Sequence, residues 1–81
     1  MQINFIPLSD LKPGESGIVK EFRTNGSLTG RLRELGLVTG TKVTVKRYAP
    51  FGDPLELVVR GYNLSLRKSD AAEILVSKET P

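Results

Sequence analysis

Apolar and polar residues alternate along residues 42–48. Val43 and Val45 fall on one face, Lys42, Thr44 and Lys46 on the other. A period of two marks a strand with one buried face. Residues 55–60 repeat the pattern, with Leu55, Leu57 and Val59 inward. Residues 17–23 carry Ile18, Val19 and Phe22, which predicts a third strand, although its alternation is too irregular to assign an inward face. Leu64 and Leu66 give the inward side of a fourth short strand, and residues 74–76 (Ile, Leu, Val) a fifth. One segment keeps a different period. Leu28, Leu32 and Leu35 stand at i, i+4 and i+7, which is one face of a helix. Ser27 or Thr29 offers a hydroxyl to cap its start, and Gly36 follows as the residue expected to end it in the left-handed conformation.

Between these elements lie turns. Pro13-Gly14 punctuates the loop 8–17, whose Leu8 and Leu11 are expected to plug one end of the core. Residues 24–27 form a turn before the helix. Residues 61–63 (Gly, Tyr, Asn) are expected to make a tight hairpin turn, since Gly and Asn tolerate positive φ. Residues 69–72 are read as a single helical turn, and residues 77–81 as a disordered tail. The expected fold is therefore mainly β: a small barrel of about five short strands with one inserted short helix. The 81 residues are expected to form a single domain.

Composition narrows the chemistry. With no His and no Cys, a Ser-His-Asp triad, a thiol nucleophile and a disulfide are all excluded. The carboxylates are spread singly, with nothing marking an acid/base pair. The chain is read as not an enzyme, with no catalytic, cofactor-binding or metal-ligating residues assigned. Residues 36–42 pass near a phosphate-binding loop, but three residues separate Gly36 from Gly40 and Thr41 intervenes before Lys42, whereas that motif needs four and none. A helix stop followed by a strand start accounts for both glycines. No cofactor is expected.

The charge balance is mildly basic, with 12 Lys and Arg against 9 Asp and Glu, a net +3. The basic residues are scattered, so a solvated surface explains them as readily as an anionic partner does. Nucleic-acid readers interleave basic residues with stacking aromatics. Here Arg47 beside Tyr48 is the one suggestive pair, and cation–π packing on the barrel wall is the favoured explanation for it. Phe5 and Phe22 are assigned to the core. No stretch approaches the roughly 20 apolar residues that span a bilayer. Residues 1–7 lack the basic start and apolar run of a secretory signal, so a cytoplasmic location is expected.

One feature lies outside the periodic core pattern. Residues 49–54 join two strands, and Phe51 sits at the tip among Pro50, Gly52, Asp53 and Pro54. A rigid loop presenting a phenyl ring suits an interaction anchor. The competing explanation, that Phe51 folds back over a barrel end, stands level with it. Leu37 and Val38 raise the same question, and for them core packing is favoured.

Several pieces in order then resemble the FeoA family: Leu8-Ser9-Asp10-Leu11 with Pro13-Gly14, Gly17-Ile18-Val19, Arg31 to Leu37, Gly40-Thr41-Lys42-Val43, Ala49 to Pro54, and Leu64-Ser65-Leu66-Arg67 followed by Ala71-Ala72. The resemblance spans residues 8–76. It implies a barrel of the Src-homology-3 type, related to one in iron-responsive repressors whose DNA-binding domain has no counterpart here. It also implies a partner, the cytoplasmic part of the membrane ferrous iron transporter FeoB. The expected function is that of a non-enzymatic accessory protein of ferrous iron uptake. The alternative is a nucleic-acid-binding small barrel. The expected contact surface is Pro50, Phe51, Gly52, Asp53 and Pro54, with Arg47 and Arg60 steering the approach.

Overall fold

Alternating apolar positions can be buried only if the strands carrying them close around a common interior. The computed structural model describes residues 4–24 and 26–79 and shows the strands gathered around one core, with the two end strands of the sheet not paired to each other. Six strands form one antiparallel sheet: β1 (Ile6–Pro7), β2 (Ser16–Phe22), β3 (Lys42–Tyr48), β4 (Leu55–Val59), β5 (Tyr62–Leu66) and β6 (Ile74–Glu79), in the order β1-β6-β2-β3-β4-β5. Helix α1 (Ser27–Glu34) joins β2 to β3, and a short helix α2 (Lys68–Ala71) joins β5 to β6. Val19, Val43, Val45, Leu57, Val59, Ile74 and Val76 are fully buried in one core, and Leu8 and Leu11 are buried in it as expected.

The sixth strand leaves no sequence signal because it is only two residues long and contains Pro7. Its pairing, Ile6 with Val76 and Pro7 with Leu75, puts it at one end of the sheet order, where proline costs no ladder bond. The tail expected from residue 77 is also corrected. Ser77, Lys78 and Glu79 pair with Ile18, Gly17 and Ser16, because the free side of β2 offers them backbone partners. Only Thr80 and Pro81 of that tail lie outside the described residues. Asn25, in the turn expected over residues 24–27, lies outside them as well.

The irregular alternation of β2 has a cause. Its register with β6 shifts between Val19 and Glu21. A bulge there breaks the period of two and re-aims the residues beyond it. Gly17 sits just before this shift. A Cβ at that position would lie 2.9 Å from Val76 Cγ2 and 3.2 Å from the Ser77 carbonyl oxygen, so β2 and β6 approach too closely for a side chain.

Helix α1 is stopped by a Schellman motif. The Gly36 N–H donates to the Arg33 carbonyl at 2.9 Å and the Leu37 N–H to the Leu32 carbonyl at 3.0 Å, while Gly36 adopts φ 97°. The motif turns Leu37 back beside Leu32, and both are fully buried. Leu28 and Leu35 pack at the core's margin. The start of α1 differs from the expectation. Gly26 is the N-cap residue, and it has no side chain to cap the helix. Thr29 is buried inside the first turn, and its hydroxyl donates to the Thr24 carbonyl at 2.6 Å. This bond ties α1 to the chain before it.

Candidate partner-binding surface

The loop between β3 and β4 is a compact, internally bonded turn. Its Gly52 N–H donates to the Ala49 carbonyl at 2.7 Å, closing a four-residue turn with Pro50 and Phe51 at its centre, and the Ala49 N–H donates to the Pro54 carbonyl at 2.9 Å. Proline at the second position fixes φ there, and Gly52 supplies the positive φ (83°) that the return requires. The Asp53–Pro54 peptide bond is cis. The Phe51 side chain packs against no wall of the barrel. It is 98% exposed, and of the two readings of this ring the barrel plug is excluded.

Asp53 anchors the loop to the body of the protein. Its Oδ1 accepts the backbone N–H of Lys68, the first residue of α2, at 2.9 Å. That N–H is one of the unpaired donors at a helix start, and a carboxylate there is favoured by the local dipole. The contact joins residues 15 positions apart, so no local pattern announces it. It brings Arg67 and Lys68, both exposed, to the flank of the Phe51 loop. These two cations were not among the expected contact residues.

The expected cations divide. Arg47 lies one residue before the end of β3 and therefore close to the loop, but it is engaged: its Nε donates to Glu56 Oε2 at 2.9 Å. Arg60 is not brought to the loop. It sits beyond the other end of β4, five residues from Leu55, about 17 Å along a strand rising about 3.3 Å per residue. There, Arg60 and Gly61 form the two-residue turn between β4 and β5, with φ 50° and 85°, and Val59 pairs with Tyr62. Two positive φ values in a two-residue loop are the hairpin turn whose twist matches the strands. The turn is thus one residue earlier than expected, and Tyr62 and Asn63 already belong to β5. The Arg60 Nη2 reaches Thr41 Oγ1 at 3.4 Å, beside a shallow open cleft lined by Lys42, Thr44 and Val58.

The Arg47–Tyr48 pair is not a cation–π contact. Arg47 turns to Glu56, and the Tyr48 hydroxyl donates to the Leu11 carbonyl. Arg33 of α1 instead places its guanidinium 5.9 Å from the centre of the Phe22 ring, within the range of such an attraction. Among the described residues no three His, Cys, Asp or Glu side chains gather as a metal site, and no helix is long and apolar enough to cross a membrane. Glu15 has its pKa held below the usual carboxylate value, first by its hydrogen bond with Lys78 and then by the Lys12 backbone N–H. It braces the loop before β2 against β6.

Residues 6–78 match the family model described as the FeoA domain. The chain belongs to the FeoA family. A curated relative in Porphyromonas gingivalis, an Fe(2+) transport protein A/Fe(2+) transporter FeoB fusion protein, is 38% identical over 69 residues. The match takes in 85% of this chain and 8% of that much longer protein. The solution structure of a FeoA-like protein from Clostridium acetobutylicum superposes with a TM-score of 0.90 at 33% identity, covering 100% of this chain and 93% of that one. The zinc complex of Stenotrophomonas maltophilia FeoA, described as a prokaryotic SH3 domain protein, gives 0.75 at 34% identity, with 89% and 93% covered. The expected Src-homology-3-like architecture is therefore the one this family has, and the family is linked to ferrous iron transport.

Proposed function

We propose that this chain is an accessory protein of bacterial ferrous iron uptake that docks on the cytoplasmic part of an FeoB-type transporter. It catalyses no reaction itself. The observation that carries the reading is the P. gingivalis fusion, in which a relative of this chain and FeoB are one polypeptide. Covalent linkage holds two partners at high effective concentration, which serves an interaction that separate chains must make by affinity.

The docking surface in this reading is the loop of Pro50, Phe51, Gly52, Asp53 and Pro54, with Arg47 at its edge. A pre-ordered loop loses little entropy on binding, and an exposed phenyl ring is the kind of residue that becomes an interface hot spot. Arg60, at the far end of β4, acts at long range through the field that steers encounter. The test is binding of the purified chain to the soluble cytoplasmic region of FeoB across a salt series. Apolar docking keeps its affinity as salt rises. Binding to an RNA or DNA oligonucleotide with steep salt dependence, and none to FeoB, overturns the reading.

A further inference from the structure

β5 ends the sheet order, so among the described residues one of its sides has no strand beside it. The hydrogen-bond pattern says which groups face that side. Val59 and Tyr62 flank the two-residue turn and form the first hydrogen-bonded pair of the hairpin, and the pattern alternates from there. Leu64 faces Leu57 and Leu66 faces Leu55, so Tyr62, Leu64 and Leu66 direct their backbone groups into β4. Asn63 and Ser65 direct theirs outward. Both residues are exposed, and neither appears in a turn, loop or cap bond among the described residues. The other end of the order, β1, is two residues long and carries Pro7, which protects it from pairing. β5 has none of the usual protections: no proline, no bulge and no charged residue within its length.

The charges around this edge select what pairs with it. Arg60 stands just before β5, its guanidinium resting on Thr41 Oγ1 at 3.4 Å, and Arg67 and Lys68 stand just after it. No acidic residue occurs between residues 57 and 69, and two nearby carboxylates are engaged, Glu56 opposite Ser65 by Arg47 and Asp53 by the Lys68 N–H. None of the three cations is in an ion pair among the described residues. A second copy pairing edge to edge about a two-fold axis at Leu64 would set Arg60 opposite Lys68 of that copy, twice. Like charges directly opposite destabilise such a pair. An extended segment with acidic residues at its two ends meets the same edge favourably. Its alternate side chains on the core side would cover half-buried Leu64 and the ring of Tyr62, which is 40% exposed.

We infer that the free edge of β5 is a docking site for an extended peptide segment of about seven residues, acidic at both ends and apolar at alternate positions, added as a seventh strand. The length follows from the separation of Arg60 and Arg67, about 23 Å at about 3.3 Å per residue. The backbone of Asn63 and Ser65 supplies the hydrogen bonds, and the bracketing cations set the preference for acidic ends. The strand edge itself is distinct from the Phe51 loop, with which it shares only the flank of Arg67 and Lys68, and it does not depend on the identity of the transporter partner.

The test is an amide NMR titration of the protein with two blocked synthetic peptides of alternating Val and Thr, one ending in Glu on both sides and one in Lys. In the free protein, Asn63 and Ser65 amides exchange with solvent much faster than that of Leu64. The Glu-ended peptide slows both and shifts β4 and β5 resonances, and it binds at least tenfold more tightly than the Lys-ended one. Ser65→Pro removes an outward donor and abolishes this binding. Should that variant fail to fold, the pair Arg60→Asn and Arg67→Glu serves instead: Asn-Gly suits the turn, and the loss of cations weakens the Glu-ended peptide at least tenfold. The inference is overturned if the two peptides bind equally or not at all, or if the shifts gather on the Phe51 loop. It is also overturned if Asn63 and Ser65 are already protected in the free protein, whether by self-association or by the chain itself.

Discussion

Gly17 and Gly36 are fixed by different constraints. At Gly36 the backbone needs φ 97° to end α1, and the Tyr62 hydroxyl lies 2.6 Å from where a Cβ would be. At Gly17 the backbone is ordinary and the obstacle is Val76 and Ser77 of the neighbouring strand. Gly17→Ala should therefore force β2 and β6 apart and cost about 1–3 kcal/mol, as overpacking does, read as a lower urea midpoint at unchanged m-value. Gly30 is the contrast. It sits inside α1, exposed, with ordinary φ and nothing within 4 Å of where a Cβ would stand. Gly30→Ala should raise stability by about 0.5–1 kcal/mol by restricting the unfolded chain and restoring helix propensity. Glu15 adds a pH dependence. Its folded pKa is lowered, so its contribution is present above the ordinary carboxylate range and disappears as pH falls through the folded value. The melting temperatures of the protein and of Glu15→Gln should differ at neutral pH and converge in acid.

At the scale of elements, the leucine stripe of α1 was legible because a buried helical face leaves a period that no turn chemistry obscures. Leu32→Ala should cost about 2–5 kcal/mol, enough to unfold a domain this small outright, and a melting shift of a degree or two would contradict the core assignment. β3 and β4 were legible for the same reason. β1 and the end of β6 were not, because two residues with a proline, and Ser77-Lys78-Glu79, carry no apolar period. Their strand character comes from partners distant in sequence. β2 was visible as a strand and unreadable in orientation, because its bulge is a property of the pairing with β6. The β4–β5 turn was misplaced by one residue, since Arg60 at φ 50° gives no glycine-like signal of its conformation.

For the whole molecule, residue types and motif order sufficed to recognise the family, while the arrangement of the candidate surface came from the fold. Phe51 stands out in the sequence by its place outside every periodic pattern. What the sequence left open was whether the ring turned inward, and that is decided by a turn whose bonds run from Ala49 to Gly52 and Pro54. The cap from Asp53 to Lys68, and the basic flank it brings to the loop, depend on a contact across 15 positions and have no local trace. The same topology places Arg60 at the opposite end of β4, separating residues that a linear reading groups together. Among the described residues the protein thus presents an aromatic loop at one end of the β3–β4 hairpin and an unpaired strand edge, with Arg67 and Lys68 between the two.

The most direct measurement is the affinity of the protein and of Phe51→Ala for the cytoplasmic region of an FeoB transporter, taken with the melting temperature of each. Phe51 makes no contribution to the core, so the substitution should leave the melting temperature nearly unchanged. The account predicts a loss of about 2 kcal/mol or more in binding, about thirtyfold in Kd. Equal affinities for the two proteins, or no binding by the unsubstituted one, would contradict it.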